Sequence, residues 1–469
     1  MKKIISVVVF TLLYVSYLYS GQQVVISGND TAYAGTEIIF QKYTDQITNA
    51  EELVGACIAD SSGCFSVTFE IDEITFVFAY VGIYKIHLYA VPGSNYKIIM
   101  PPRLDKEPGD FLNPYFSPTI IHLGTVDYNE NELNTLIRMF NDAFLPYYNK
   151  HILDLRENDD FSQLDKDIAR MEKSFSGSEN LFFNNYRKYR YGLLRHLAAQ
   201  QKSRSVSDEY FMNQPVLNNN TAYMELFDRV YDNYFHHFAR TSEGKGLGEA
   251  ISSGDLNALR KSLSSDKVLK GKDLLDMVIL KGLYDEFYDD NYSRSAMLKI
   301  VEQMIQDSKN SAVNKTAEAI RRKTTRLLVG YEPPAFELFD RDSNLVSLES
   351  LKGKYVYLNF CSCFSYTCLN EFEMLKILHE KHKDLIQILT VVVDNDIDVL
   401  DNFLRRSNYP WLFLHYGNHS SIIKEYDVRA FPTYYLIDSE GKLAISPSPS
   451  PGEEFEARFF KLLRSRGEL

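Results

Sequence analysis

The chain has 469 residues, 45% of them hydrophobic and 13% aromatic, and a formal net charge of −12. This length predicts roughly two to four domains, and the hydrophobic content is typical of a globular chain and excludes an intrinsically disordered one. Because the charge balance is acidic and no run of Lys and Arg occurs, no nucleic-acid partner is expected.

Residues 1–20 have the pattern of a secretory signal peptide. Lys2 and Lys3 supply a positive start, residues 4–18 are mostly apolar, and Ser20 is a small residue at the expected cleavage point. The apolar run is short for a membrane span, and no later segment has the length and apolar character of one, so cleavage is expected rather than anchoring. An exported protein folds outside the reducing cytosol, where pairs of cysteines can persist as disulfides.

Residues 21–102 predict a small antiparallel β-sandwich or barrel. They contain short segments rich in β-forming residues, and residues 65–71 alternate apolar and polar side chains as a half-buried strand does. The Asp-Ser-Ser-Gly run at residues 60–63 predicts a turn. If this turn closes a hairpin, Cys57 and Cys64 face each other across neighbouring strands and are candidates for a disulfide.

Residues 103–330 predict a connector, up to about residue 125, followed by a helical region. Apolar residues recur in the helical region at spacings of three and four, which indicates amphipathic helices. One such face consists of Leu133, Leu136, Ile137, Phe140 and Phe144. His236 and His237 are adjacent, and adjacent helical residues point about 100° apart, so they predict no metal site. No motif in this region indicates a reaction or a cofactor.

Residues 331–469 alternate strands with helices and predict an α/β domain. The expected strands are residues 356–360, 386–393, 411–414, 434–437 and 443–446, and the expected helices are residues 368–379, 397–405, 420–426 and 453–463. This order implies a mixed, partly parallel sheet with helices on both faces. The whole chain is thus predicted to be multidomain, with a β domain, an all-α middle region and a C-terminal α/β domain.

Three short stretches of the last domain resemble a known family. They are Tyr-Leu-Asn-Phe at residues 357–360, Cys-Leu-Asn-Glu at residues 368–371 and Phe-Pro-Thr at residues 431–433. They are similar to the first core strand, the second active-site cysteine and the cis-proline loop of the TlpA-type thioredoxin-fold thiol–disulfide oxidoreductases, which are exported bacterial proteins. The resemblance implies a thioredoxin fold in the periplasm or cell envelope. It also implies that Phe431, Pro432 and Thr433 border a groove for an extended peptide.

The N-terminal region carries a second resemblance. Asp60-x-x-Gly63-x-Phe65 and Val91-Pro92-Gly93-x-x-Tyr96 are similar to a small β domain of unknown function that precedes such thioredoxin-fold domains in some Gram-negative proteins. This resemblance agrees with the β prediction and implies no activity.

The departure from the family lies at the first active-site cysteine. The C-x-x-C of the family is Ser365-x-x-Cys368 here. A serine hydroxyl is far less acidic than a thiol and forms no mixed disulfide, whereas serine is a good N-cap for the helix that starts there. We therefore expect a redox-degenerate protein that acts as a binding or scaffold module of the cell envelope.

The alternative is a thiol–disulfide oxidoreductase or peroxidase that uses Cys368. Cys363 is then its candidate partner, if the turn brings the two Cα atoms within about 7 Å. Ser365-x-x-Cys368 also resembles the Thr/Ser-x-x-Cys of peroxiredoxins, in which the cysteine attacks peroxide, although that pattern expects proline where this chain has Cys361. The expected partner is an extended peptide or a protein thiol or disulfide client.

The cysteines also suggest a soft metal such as Cu(I), bound by Cys361, Cys363 and Cys368. A lone C-x-C pair is weak support for such a site. A cysteine at the end of a strand, as Cys361 is, is more often a small buried hydrophobic residue. No metal site or cofactor is therefore predicted.

Overall fold

The computed structural model describes residues 21–107, 110, 113, 116–157, 161–198, 203–394, 397–407, 409–417 and 420–469. The predicted signal peptide, residues 1–20, lies outside these residues. No helix in the described part of the chain has both the length and the apolar character needed to cross a membrane. The chain forms a β-rich N-terminal domain, a helical middle region and a C-terminal α/β domain, as predicted.

The N-terminal domain is a sandwich of two sheets. Its strands are β1 Gln22–Asn29, β2 Glu37–Tyr43, β3 Glu51–Ile58, β4 Cys64–Ile71, β5 Thr75–Val81, β6 Tyr84–Ala90, β7 Asn95–Ile99, β8 Thr119–His122 and β9 Gly124–Thr125. One sheet has the order β4-β1-β7-β9 and the other β3-β2-β5-β6-β8. Side chains of β4 alternate between exposed and buried, as the sequence predicts, and the buried ones join a core shared by both sheets.

The hairpin predicted at residues 60–63 is wrong, because β3 and β4 belong to different sheets. Cys57 lies opposite Ile38 of β2, and Cys64 lies opposite Asn29 of β1. The turn itself is present, but it carries the chain from one sheet to the other. Both cysteines are free thiols in the structure, so it does not support the predicted Cys57–Cys64 disulfide.

The predicted connector contributes two strands to this domain. β8 pairs with β6 in parallel, and β9 pairs with β7. Each sheet therefore contains a strand that follows residue 102 in the chain. β1 and β7 are also parallel, and the domain is therefore mixed rather than purely antiparallel. The segment was hard to recognise because β8 and β9 are short strands, and one residue of β8, Ile120, is largely exposed although apolar.

The middle region contains helices α1 Leu133–Glu157, α2 Phe161–Lys173, α3 Leu181–Ala198, α4 Ser203–Tyr210, α5 Thr221–Val230, α6 Tyr234–Ala239, α7 Leu247–Ser252, α8 Leu256–Leu263, α9 Lys272–Asp285, α10 Arg294–Asp307 and α11 Ser311–Thr325. Their apolar faces form one aromatic-rich core, which also takes in Tyr89 of β6. The face predicted for α1 is confirmed, since Leu133, Ile137, Phe140 and Phe144 are buried in it.

A buried asparagine links the helical region to the sandwich. Asn134 of α1 accepts the backbone N–H of Tyr89 through Oδ1 at 2.7 Å and donates Nδ2 to the backbone oxygen of Tyr89 at 3.0 Å. Its Oδ1 also lies 3.2 Å from Nε2 of His122 in β8. One side chain therefore bonds to both backbone groups of Tyr89, near the end of β6.

The C-terminal domain consists of β10 Glu337–Asp340, β11 Leu345–Ser347, β12 Tyr355–Cys361, α12 Tyr366–His382, β13 Ile386–Val392, α13 Ile397–Ser407, β14 Leu412–His415, α14 Ser420–Glu425, β15 Thr433–Ile437, β16 Leu443–Ser448 and α15 Phe455–Arg466. They form one sheet of order β11-β10-β14-β13-β12-β15-β16, in which β12, β13 and β14 are parallel. The predicted strands and helices are confirmed within a few residues. β10 and β11 were not predicted.

β12 lies in the middle of this sheet, and every one of its residues is buried. Tyr355, Tyr357 and Cys361 join the core on the side of α12 and α15, whereas Val356 and Phe360 join the core on the side of α14. This alternation is the period of two that a strand imposes on its side chains. It determines which residues at the end of β12 meet α12.

The C-terminal domain is tied to the segment that precedes it. The backbone N–H of Gly330 donates to the oxygen of Leu443 at 2.8 Å, and the N–H of Leu443 donates to the oxygen of Tyr331 at 2.9 Å. The hydroxyl of Ser446 donates to the oxygen of Leu327 at 2.7 Å. The segment that leaves α11 therefore pairs with β16, the outermost strand of the sheet.

We expect Asn134→Ala to lower the free energy of unfolding by about 1–3 kcal/mol, since it removes the side-chain partner of the buried Tyr89 N–H and leaves the Tyr89 oxygen only the hydroxyl of Tyr96, at 3.3 Å. Urea titration followed by circular dichroism measures the change. The matched control is Asn131→Ala, at an exposed position just before the same helix. Equal midpoints for the two variants would contradict a structural role for this contact.

Candidate functional site

Two cysteines meet in the core beneath the junction of β12 and α12. Cys361 is the last residue of β12 and points to the side that α12 covers. Cys368 is the third residue of α12 and belongs to the same buried cluster as Cys361, whose thiol donates to Oδ1 of Asn359 at 3.2 Å. Both residues are 0% exposed. Cys361 is thus a buried residue of the hydrophobic core, as the sequence suggested.

Ser365 caps α12, as the sequence predicts. Its backbone is extended, with φ −80° and ψ 116°, and its Oγ accepts the backbone N–H of Cys368 at 3.4 Å. The neighbouring side chains of Phe364 and Tyr366 are 76% and 78% exposed. The start of the helix therefore presents two aromatic rings and a hydroxyl that caps the helix, where the family pattern has the sulfur of the first active-site cysteine.

Asp394, two residues after the end of β13, holds the turn before α12. Its two carboxylate oxygens accept the hydroxyl of Ser362 at 2.5 Å and the backbone N–H of Cys363 at 2.7 Å. Its backbone oxygen lies 2.7 Å from Nε2 of His415, whose Nδ1 accepts the N–H of Gly417 at 3.1 Å. The carboxyl ends of all three parallel strands are thereby joined. Asp394 was not predicted from the sequence, where its one local signal is that a polar residue follows a buried strand.

Cys363 lies beside Asp394. Burial is the largest cause that raises the pKa of its thiol, and the nearby carboxylate, to which the thiol is hydrogen-bonded, raises it further. These contacts make Cys363 a poor nucleophile and do not support it as the partner of Cys368. Among the described residues, no group of three or more His, Cys, Asp or Glu side chains is arranged to hold a metal ion.

The pKa of Cys368 is shifted in the opposite direction to that of Cys363. The neighbouring thiol of Cys361 is the largest influence on the pKa of Cys368, which lies below its usual value even though burial opposes ionisation. The hydroxyl of Ser365 and a backbone group at Ser362 add hydrogen bonds that also favour the thiolate. The pKa of Cys361, in contrast, is raised, mainly by burial. Of the three sulfurs, Cys368 is therefore the one that ionises most readily.

Glu371 lies one turn further along α12. The hydroxyl of Tyr434 in β15 donates to its Oε2 at 2.5 Å, and burial raises the pKa of the carboxyl group. Its charge disfavours the thiolate of Cys368, which shows that the two groups sense each other. Glu371 was part of the predicted motif, whereas Tyr434 was not predicted as a site residue. The ring of Tyr434 stacks on that of Tyr357, with centroids 5.0 Å apart.

The predicted peptide-binding residues lie beside this site. Phe360 of β12 is paired in register with Thr433 of β15, so Pro432 is adjacent to the end of β12 where Cys361 lies. The peptide bond between Phe431 and Pro432 is cis. All three residues of the loop, from Phe431 to Thr433, are half-buried and partly open to solvent.

Comparisons with known proteins match this part of the chain. The model described as the AhpC/TSA family matches residues 329–446. The thiol–disulfide oxidoreductase ResA of Bacillus thuringiensis subsp. konkukian is 29% identical over 122 residues, which are 26% of this chain and 70% of that protein. ResA of Bacillus subtilis is 30% identical over 117 residues, covering 24% of this chain and 64% of that protein.

Solved structures that match this part of the chain include two from Bacteroides. The thioredoxin domain of a thiol–disulfide oxidoreductase from Bacteroides vulgatus is 23% identical, with a TM-score of 0.27, and covers 29% of this chain and 99% of that chain. A thiol:disulfide interchange protein from Bacteroides sp. is 23% identical, with a TM-score of 0.26, and covers 30% of this chain and 90% of that chain. The C-terminal domain has a thioredoxin fold, and its sequence is similar to thioredoxin-like thiol–disulfide oxidoreductases of the AhpC/TSA family.

We expect Cys361→Ala to raise the pKa of Cys368, because it removes the neighbouring thiol, which is the largest influence that lowers this pKa. Thiolate absorbance near 240 nm, followed against pH in a background without Cys57 and Cys64, measures this shift. Cys363→Ala is the matched control and should change the Cys368 titration less, since Cys361, and not Cys363, is the largest influence on that pKa. An unchanged curve in Cys361→Ala would show that the thiol contact has no electrostatic effect.

Proposed function

We propose that this chain is an exported thioredoxin-like protein whose C-terminal domain binds an extended peptide segment of a client and has lost ordinary two-cysteine exchange. The observation that carries the proposal is the cap formed by Ser365. A hydroxyl at this position cannot attack a disulfide, and Cys368 is covered by the core. The domain thus has no exposed sulfur at the start of α12 to form a mixed disulfide with a protein.

The surface around the cap supports peptide binding. Phe364 and Tyr366 project from the loop and the first turn of α12, and large exposed aromatic side chains are typical of interaction sites. The loop of Phe431, Pro432 and Thr433 lies next to the same end of β12. We expect the client segment to be extended and to carry apolar side chains that cover the two rings.

Export is part of the proposal and rests on residues 1–20, which have the charge and apolar pattern of a secretory signal. The sequence relatives named thiol–disulfide oxidoreductases support a client that is itself a thiol or disulfide protein. The client would then meet this domain in the periplasm or cell envelope.

A second candidate function is thiol chemistry at Cys368. It is favoured by one observation, the lowered pKa of this thiol, on which the neighbouring Cys361 is the largest influence. In this version the protein is an oxidoreductase or a peroxidase rather than only a binding module. Abolition of a wild-type thiol activity by Cys368→Ala would favour it over the first proposal.

Ser365→Cys should create disulfide reductase activity, since it restores the C-x-x-C spacing with Cys368 at a helix N-terminus, which favours a thiolate. Insulin reduction by the folded variant is compared with that by the wild type, which we expect to remain near the uncatalysed rate. A repeat in a Cys363→Ala background excludes trapping of the new thiol by Cys363. Wild-type activity equal to that of the variant would contradict the loss of exchange.

The control for this substitution is Ser365→Ala, which loses the cap without adding a sulfur. It should lower the free energy of unfolding by about 1 kcal/mol and remain inactive. The comparison separates the chemical effect of the thiol from any effect of an altered helix start.

Peptide binding is tested by a photo-crosslinking side chain at Tyr366 in the exporting cell. We expect crosslinks to client protein there and none from the same group at Ile377, which is 56% exposed on α12. Substituting Phe364 by Ser should reduce the crosslinks from position 366. If positions 366 and 377 give the same products, the surface around the cap is not a specific binding site.

A further inference from the structure

We propose that His87 and His122 form an acid-sensitive joint between the N-terminal sandwich and the helical region. At neutral pH both imidazoles are uncharged and the joint is closed. In mild acid they take up protons, and the start of α1 separates from β6 and β8. The joint lies outside the thioredoxin-like domain, so this inference goes beyond peptide binding and does not rest on it.

The two histidines face each other across neighbouring strands. His87 of β6 is paired in register with His122 of β8, and their ring centroids lie 4.9 Å apart. Both side chains are half-buried, and among the described residues the enclosed Nδ1 atom of each has no hydrogen-bond partner. Because buried polar atoms nearly always have a partner, two adjacent nitrogens without one are an unusual feature of this sheet.

Asn134 of α1 determines which nitrogen of His122 carries a hydrogen. Oδ1 of Asn134 accepts the backbone N–H of Tyr89, and Nδ2 donates to the oxygen of Tyr89, so the orientation of this amide is fixed. Nε2 of His122, which lies 3.2 Å from the same Oδ1, must therefore be the donor in that contact. Nδ1 then holds the free lone pair and is the atom that acid protonates. A proton there creates a charged N–H group without an acceptor.

The described surroundings of His87 disfavour a positive charge. Burial is the largest cause that lowers the pKa of His87, to about 3, and the nearby His122 and Lys85 lower it further. On the side of β5 its neighbour is the ring of Phe76, with centroids 4.8 Å apart. A protonated His87 thus lies close to a lysine, and no carboxylate of the described residues is hydrogen-bonded to it.

The start of α1 brings charges of both signs to His122. Burial is the largest cause that lowers the pKa of His122, to about 4, and Arg138 acts in the same direction. The hydrogen bond to Asn134 and the carboxylates of Glu132 and Asp142 oppose this lowering without reversing it. Glu132 also accepts Nδ2 of Asn134 at 2.8 Å. A protonated ring that turns towards water breaks the contact with Asn134, and the link from β8 to α1 is lost with it.

The direction of the pH dependence follows from these shifts. In the closed joint both histidines have pKa values well below the ordinary value of about 6.5, which they regain when the joint opens to solvent. Above about pH 6.5 neither state takes up these protons, so pH has no effect on closure. As the pH falls from about 6.5 towards about 4, only the open state takes them up. Each histidine then shifts the equilibrium towards the open state by about tenfold per pH unit.

The test follows hydrogen exchange in the folded full chain at pH 7 and pH 5, read by mass spectrometry and corrected for the intrinsic exchange rate at each pH. The reporters are peptides from β6 and from the start of α1, which include the hydrogen-bonded N–H of Tyr89. We expect their protection to fall by at least about thirtyfold, the change that one histidine gives between pH 6.5 and pH 5. Equal protection at the two pH values would overturn the inference.

Two double variants show whether these histidines cause the loss. His87→Phe combined with His122→Gln removes both titrating rings but keeps a side-chain N–H for Oδ1 of Asn134, and it should retain its protection at pH 5. His236→Gln combined with His237→Gln removes two exposed histidines of α6 and should behave as the wild type does. If the first variant loses as much protection as the wild type, carboxylates cause the acid effect and the inference is wrong.

A single substitution covers the case in which the first double variant does not fold. His122→Gln alone leaves His87 in place and should lose at least about tenfold less protection than the wild type between pH 7 and pH 5. A loss equal to that of the wild type would again overturn the inference.

Discussion

The burial of β12 on both faces is the constraint on which the C-terminal domain depends. A strand in the middle of a sheet, covered by helices on each side, cannot slip by one residue without exchanging its two apolar faces. Its register with β13 and β15 then fixes where each residue at its carboxyl end points. Cys361, the turn held by Asp394 and the cap of α12 all take their positions from that end. The chemistry available to the domain follows from this placement.

Much of this domain was accessible from the sequence, because long buried strands and amphipathic helices have strong local patterns. The strand at residues 356–360 and the cap at Ser365 are examples, and both are as predicted. The β domain was less accessible. A turn signal shows that the chain reverses but not which strand it pairs with afterwards, and so Cys57 and Cys64 were placed on neighbouring strands that are in different sheets.

The site shows the same limit more sharply. The sequence suggested Cys363 because it is the cysteine nearest to Ser365, which replaces the first cysteine of the motif. Separation along the sequence, however, is a poor guide to distance in space at a strand-to-helix junction. Strand parity could have pointed to Cys361, since it shares a face with Tyr357. Asp394 and Tyr434 could not be assigned in this way, because their contacts depend on β13 and β15 lying on either side of β12. Such long-range pairings have no local signal.

The pairing of the segment at residues 330–331 with β16 has a practical consequence for dissecting the protein. β16 is an edge strand, and part of its outer edge is covered only by this segment. A fragment that starts after residue 331 would expose backbone N–H and C=O groups along that edge, a surface prone to strand-to-strand aggregation. The thioredoxin-like domain should therefore be isolated with the preceding segment from Leu327 onward, so that the backbone groups at this edge of β16 keep their hydrogen-bond partners.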